Sequence, residues 1–247
     1  MEYCINYIES LQSIIELCDR LKEDTVKNYY TNDYYKTHPG FCYYPHYRKR
    51  FDLLRGVVEI CDMIGVKHLE ENKNTLRGRI QRLNDPAHLS ERSKFEENIS
   101  FVKNIFQVAE KEISERLSVL SPTETKRLDE AIHCYLEGCN NSTVAMAVCA
   151  IEYRLLALMR SKGAQLDEMT LGQLMREYLD NKEKYGNIIP KRHEPLLELC
   201  NTYGIFSVNP KKEIITRPTT ITVLSSTLGF LLDPELPKES VGCYYPG

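Results

Sequence analysis

No stretch of this chain approaches the roughly 20 consecutive apolar residues that span a bilayer, so no membrane-crossing helix is expected. The amino terminus, MEYCINYIESLQ, lacks a basic leader and an unbroken apolar segment, which argues against a secretory signal. Charge of one sign is not in excess: the net charge is −3 and the pI about 6.1. A histone-like polycation is thereby excluded, and any contact with nucleic acid must come from a local patch. Apolar residues are neither scarce nor confined to one end, which excludes disorder over most of the 247 residues.

The signatures of common enzymes are missing too. There is no Gly-x-Gly-x-x-Gly, no phosphate-binding loop ending in Gly-Lys-Ser/Thr, no Gly-x-Ser-x-Gly elbow and no His-Glu-x-x-His. Nucleotide hydrolysis, α/β-hydrolase chemistry and zinc proteolysis lose their usual markers. The nine cysteines are scattered, odd in number and without a Cys-x2-Cys pair. They read as reduced thiols of a cytoplasmic protein, with no metal and no cofactor expected.

What is present is helical periodicity, and the fold class it predicts is all-α. Tyr3, Tyr7, Ile8, Leu11, Ile14, Ile15, Cys18 and Leu21 recur at spacings of three and four. Further helices are expected at about 47–64, closed by Gly65, and at 66–83, stopped by Asp85-Pro86. A long charged helix over 90–117 carries Phe95, Ile99, Val102, Ile105, Phe106, Ala109 and Ile113 as one stripe. Ser121-Pro122-Thr123-Glu124 has a cap, a first-turn proline and the acidic residue of a capping box. It opens a helix to about 137 and marks the domain boundary.

The run AMAVCAIEYRLLALM is apolar nearly all round and should be the buried central helix of the second half, opened by Asn140-Asn141-Ser142. Thr170 caps a following helix, LLELCNTYGIF lies on another, and 219–232 forms the last. Residues 214–216 could be a short extended piece. The expected organisation is a helical N-terminal bundle over 1–118, a second helical domain over 119–232 and an irregular tail over 233–247.

Few residues suggest chemistry. The segment 28–51 holds seven tyrosines, two phenylalanines, two histidines and the cluster Arg48-Lys49-Arg50. Aromatics stack on unpaired bases while nearby cations meet phosphates. The plainer alternative is packing of a long loop, or a surface for a protein partner. Arg82 and His88 could hold a phosphate and move a proton, although Asp85-Pro86 interrupts the helix between them. Arg192 and His193 are adjacent and would diverge on a helix. Glu152 and Arg154 interrupt the central helix, where a buried charge needs a partner; Glu152 is expected to hold a basic group of a neighbouring helix.

The stretches LDEAIHCYLEGCNNSTVAMAVCAIEYRLLALMRSKG, MTLGQLMREYL and LLELCNTYGIFSVNPKK carry a family likeness. Through Ala131, Tyr135, Gly138, Ser142, Ala150, Glu152, Leu171, Leu174 and the segment 196–210, residues 122–232 resemble the HEPN superfamily, over about half the chain. The resemblance implies a four- or five-helix bundle that pairs as a homodimer. Many members are metal-independent endoribonucleases, some in antiviral defence or as toxins. They act through an Arg and a His four to six residues apart, facing a cleft at the dimer interface. The Arg would stabilise the phosphorane formed by 2′-hydroxyl attack, and the His would act as acid or base.

By that correspondence the Arg position falls on Gly204 and the His position on Asn209. Glycine offers a phosphate no charge, and asparagine does not titrate near neutrality. Glu152, Asn201 and Tyr203 would support the site. Lys211 and Lys212, with Arg48, Lys49 and Arg50, would meet RNA. The expectation is an RNA-directed protein that is catalytically inactive as written, whether the pair was lost naturally, replaced to silence a toxic nuclease, or lies in another register. A non-catalytic helical interaction or dimerisation module is the alternative, and an enzyme built around Arg82, His88 and Glu152 a third.

Overall fold

The structure, a computed structural model, describes residues 14–31, 45–83, 85, 91–167, 169–209 and 214–236. Among these residues it contains ten α-helices and no strand, so the chain is all-α. It divides into two compact units, residues 1–116 and 117–247.

The first unit contains α1 (Ile14–Thr25), a π-helical turn (Val26–Tyr30), α2 (Pro45–Ile64), α3 (Lys67–Leu83) and nearly all of α4 (Arg92–Leu117). The α4 stripe predicted from spacing is buried throughout, from Phe95 through Val102 and Phe106 to Ile113. Its polar flank is tied to neighbours by ion pairs. Lys103 holds Asp19 of α1 at 2.6 Å, and Arg79 of α3 holds Glu97 at 2.6 Å. Asp62 of α2 accepts from Arg77 of α3 at 2.6 Å and lies 3.0 Å from Lys73. Gly65 ends α2 at φ +74°, a conformation that glycine adopts without Cβ strain.

The second unit contains α5 (Pro122–Leu136), α6 (Asn140–Ser161), α7 (Leu171–Asp180), the single turn α8 (Lys182–Tyr185), α9 (Glu194–Val208) and α10 (Arg217–Leu231). Both predicted caps form. Ser121 and Glu124 close a capping box at the start of α5, and Thr170 and Gln173 close one at α7. Because α6 is apolar nearly all round, α5, α7, α9 and α10 all pack against it. Val144, Ala147, Ile151, Leu155, Leu158 and Met159 are buried. Each larger side chain among them contributes about 1.5–3 kcal/mol by leaving water.

Several expectations need correction. α6 is long and apolar enough to cross a membrane by length and composition, although no uninterrupted run predicts it. Glu152 and Arg154 break the run without lowering the average enough. The window concerned is 61% buried inside the protein, so this surface serves as core. The second helix starts at Pro45 and the last at Arg217, each with proline in its first turn. Residues 214–216 form neither helix nor strand. The turn α8 and the π-helical turn at 26–30 are additions that periodicity over so few residues does not reveal.

Candidate functional site

Helix α9 carries the positions at which the resemblance places catalysis. Its inner side is made of Leu197, Cys200, Gly204 and Ser207, spaced three, four and three. Leu197, Cys200 and Ser207 are buried. Gly204 faces α6: a Cβ built there would stand 3.2 Å from Val148 Cγ2 and 3.3 Å from Val148 Cγ1. The glycine is therefore a close-approach residue between two helices. An arginine at this position would start against Val148.

Asn209 is the C-terminal cap of α9, with its backbone N–H donated to the Phe206 carbonyl at 3.1 Å. Two residues earlier, the Ser207 carbonyl accepts from Asn141 Nδ2 of α6 at 3.2 Å. The Asn201 amide lies over Gly172 of α7, where a Cβ would meet Asn201 Oδ1 at 2.9 Å. Tyr203 packs edge-on to Phe206, with ring centroids 6.0 Å apart. Gly204 thus meets α6 and Asn201 meets α7, while the Tyr203 contact lies within α9 itself. Lys211 and Lys212 lie outside the described residues.

The pair Glu152 and Arg154 resolves differently from the expectation. Among the described residues, no basic side chain pairs with Glu152. Its Oε1 accepts the backbone N–H of Leu171 at 2.7 Å, capping the first turn of α7. Burial pushes its carboxyl above the usual range, opposed by hydrogen bonds from Leu171 and Cys149. Arg154 is the residue that meets a neighbouring helix. Its guanidinium binds the Glu124 carboxylate through Nε and Nη2, the latter at 2.7 Å, and Nη2 also donates to the Val119 carbonyl at 3.2 Å. The sequence signal was sound but sat on the wrong member of the pair. Residues two apart on a helix face different sides, and only Arg154 faces α5.

Arg192 and His193 also overturn the expectation that they diverge. They sit in the turn before α9, outside regular helix, and both reach Asp233 just past the end of α10. Arg192 Nη2 donates to Asp233 Oδ1 at 2.7 Å, and His193 Nε2 donates to Oδ2 at 2.5 Å. Arg192 Nη1 also donates to Glu235 at 2.7 Å. His193 stands edge-on to Phe230 at 5.4 Å. Burial raises the Asp233 carboxyl, but the Glu235 backbone N–H, His193 and Arg192 outweigh it and hold the group below its ordinary value. Asp233 had no signal in the sequence, since it opens a proline-containing tail. With His193 only 5% exposed and Asp233 8%, this His–Asp–Arg cluster offers no accessible base. It fastens the start of α9 to the end of α10.

In the first unit, Arg48, Lys49 and Arg50 lie on the first turns of α2. Tyr30 of the aromatic segment packs against Phe95 at 5.9 Å, with the Arg92 guanidinium 5.9 Å from its ring. Residues 32–44 of that segment lie outside the described residues, as does His88. Arg82 lies exposed in the last turn of α3. Among the described residues no three His, Cys, Asp or Glu side chains gather as a metal site would need. No protein-family model, curated protein or solved structure matches this chain.

Proposed function

We propose that this chain is a non-catalytic, HEPN-like helical module that self-associates through α9, with a second copy of the chain as the partner. The observation that carries the reading is the setting of Gly204. The position that should bear a phosphate-binding arginine is instead packed on Val148, and its companion Asn209 serves as a helix cap. Neither residue supplies a positive charge or a titrating proton. What supports association is the remaining surface of α9. Leu196, Ile205 and Val208 are exposed, the last two at 48% and 75%, and Leu199, Tyr203 and Phe206 are half-buried. Pairing of two bundles is what the resemblance implies for a domain of this type, and such a face gains by being covered.

The RNA-directed reading of the same scaffold rests on the resemblance over residues 122–232. Against it, α9 carries Glu194 and Glu198 and no Lys or Arg along its length, whereas phosphate contacts require cations.

Light scattering on the full chain tests association. The wild type should be a dimer and I205E/V208E a monomer with unchanged helix content; a monomeric wild type at all concentrations sinks the reading. A cleavage assay on labelled single-stranded RNA and tRNA without added metal tests the rest. Wild type and G204R/N209H should both leave the RNA intact. Cleavage by the double variant alone would make this chain a silenced ribonuclease. Salt-sensitive binding of RNA without cleavage would favour the RNA-directed reading.

A further inference from the structure

The junction between α5 and α6 places two cysteines where helix-ending geometry normally puts a hydrophobic contact. Gly138 adopts φ +77°, its N–H donates to the Tyr135 carbonyl at 3.1 Å, and the Cys139 N–H donates to the Cys134 carbonyl at 2.8 Å. This pair of bonds is the Schellman motif. The side chains of the third-last helical residue and of the residue after the glycine meet across it. Here those residues are Cys134 and Cys139. With the Cys139 nitrogen 2.8 Å from the Cys134 carbonyl oxygen, their Cα atoms stand no farther apart than the roughly 6.8 Å that a disulfide spans.

The motif is also clamped from the far side. Cys139 is the N-cap of α6, and its carbonyl accepts from the Thr143 backbone N–H at 3.0 Å and the Thr143 hydroxyl at 3.1 Å. Backbone groups on both sides of Cys139 are thus fixed while its side chain caps nothing. Cys139 is exposed and Cys134 half-buried. The other described cysteines are unsuited to the same chemistry. Cys18, Cys61 and Cys200 are buried, and burial pushes the thiols of Cys18 and Cys200 up to about 12. Cys149 is half-buried, raised by burial and by the nearby Glu152 carboxylate. Cys134 is raised first by burial and then by the Cys139 thiol and Glu130, as expected for two sulfurs side by side.

We propose that Cys134 and Cys139 form a redox-active dithiol that closes to an intrachain disulfide when the protein meets hydrogen peroxide. The exposed Cys139 thiolate attacks a peroxide oxygen, the O–O bond breaks, and Cys139 becomes a sulfenic acid while the departing oxygen takes up a proton as water. The Cys134 sulfur then attacks the sulfenic sulfur, the S–O bond breaks, and the second oxygen leaves as water. Two thiols have given two electrons to one peroxide, and a thiol reductant reverses the change.

The test uses the reduced full chain treated with hydrogen peroxide, blocked with an alkylating agent and digested with trypsin. The peptide 128–154 carries Cys134, Cys139 and Cys149, and its fragment ions assign any bond. Wild type and C149S should lose two hydrogens between Cys134 and Cys139, and alkylation of Cys139 should drop about tenfold or more. C134S and C139S should lose the bond. In C134S, Cys139 should accumulate a sulfenic acid trapped by dimedone. Serine is a favoured N-cap, so C139S should fold, and its melting curve checks that. Two outcomes overturn the proposal: Cys139 oxidises in the wild type while Cys134 stays alkylatable, or the bond forms to Cys149 instead.

Discussion

Arg154 and Glu124 form an ion pair inside the second unit, at 3% and 0% side-chain exposure. The same Glu124 carboxylate accepts the Ser121 backbone N–H at 2.7 Å, closing the capping box of α5. One buried acid therefore starts a helix and neutralises the only basic residue in the middle of α6. Breaking such a pair from one side strands a charge, which costs about 3–5 kcal/mol. R154M should lose that much in urea melts. R154M/E124Q should lose clearly less, because glutamine still accepts from Ser121 and leaves no charge behind. Equal losses would show that the guanidinium acts through packing alone.

Gly204 lies against Val148, which sets two terms against each other. Alanine gains about 1 kcal/mol over glycine in a helix interior, while overpacking a filled site costs about 1–3 kcal/mol. G204A should therefore be destabilising in the wild type and stabilising in a V148A background. The same sign in both backgrounds, read from denaturant melts, would disprove the close approach.

Glu152 contributes a pH dependence of known sign. Its carboxyl is raised from 4.5 in the folded state, so the native protein binds its proton more readily than the unfolded chain does. That contribution is fully present below the unfolded value and is lost as pH rises through the folded one. E152Q removes the titration and keeps an acceptor for the Leu171 N–H. The stability of wild type relative to E152Q should rise as pH falls from 7 toward about 4.5. E152A should cost about 1–3 kcal/mol at every pH by leaving that N–H unpaired. A pH-independent gap between wild type and E152Q would contradict the assignment.

Asp233 runs the other way. Its carboxyl is lowered from 3.8, so its contribution is present above that value and lost as pH falls through the folded one. D233N should cost about 1–3 kcal/mol at neutral pH, and its acid limb should be flatter than that of the wild type between about pH 2 and 4. Melts across that range decide it; parallel limbs would mean that Arg192 and His193 do not hold the carboxylate.

Much of the architecture was legible in the chain because helices are written locally. The buried side of α4 followed from spacing alone, the capping boxes from Ser121 with Glu124 and from Thr170, and the end of α2 from Gly65. The central place of α6 followed from its apolar circumference, since a helix without a polar side has to be surrounded.

What only the tertiary structure decided is which side chains meet. Glu152 and Arg154 both announced a buried charge, but the direction each faces on α6 settled that one caps α7 and the other pairs with Glu124. Gly204 stands against Val148 of α6, a contact that no spacing within α9 announces. Arg192 and His193 lie 41 and 40 residues before Asp233 and meet it where the start of α9 docks on the end of α10. Local spacing dictates helices because their hydrogen bonds reach only four residues along the chain. Contacts between helices depend on crossing and rotation, which no single segment encodes.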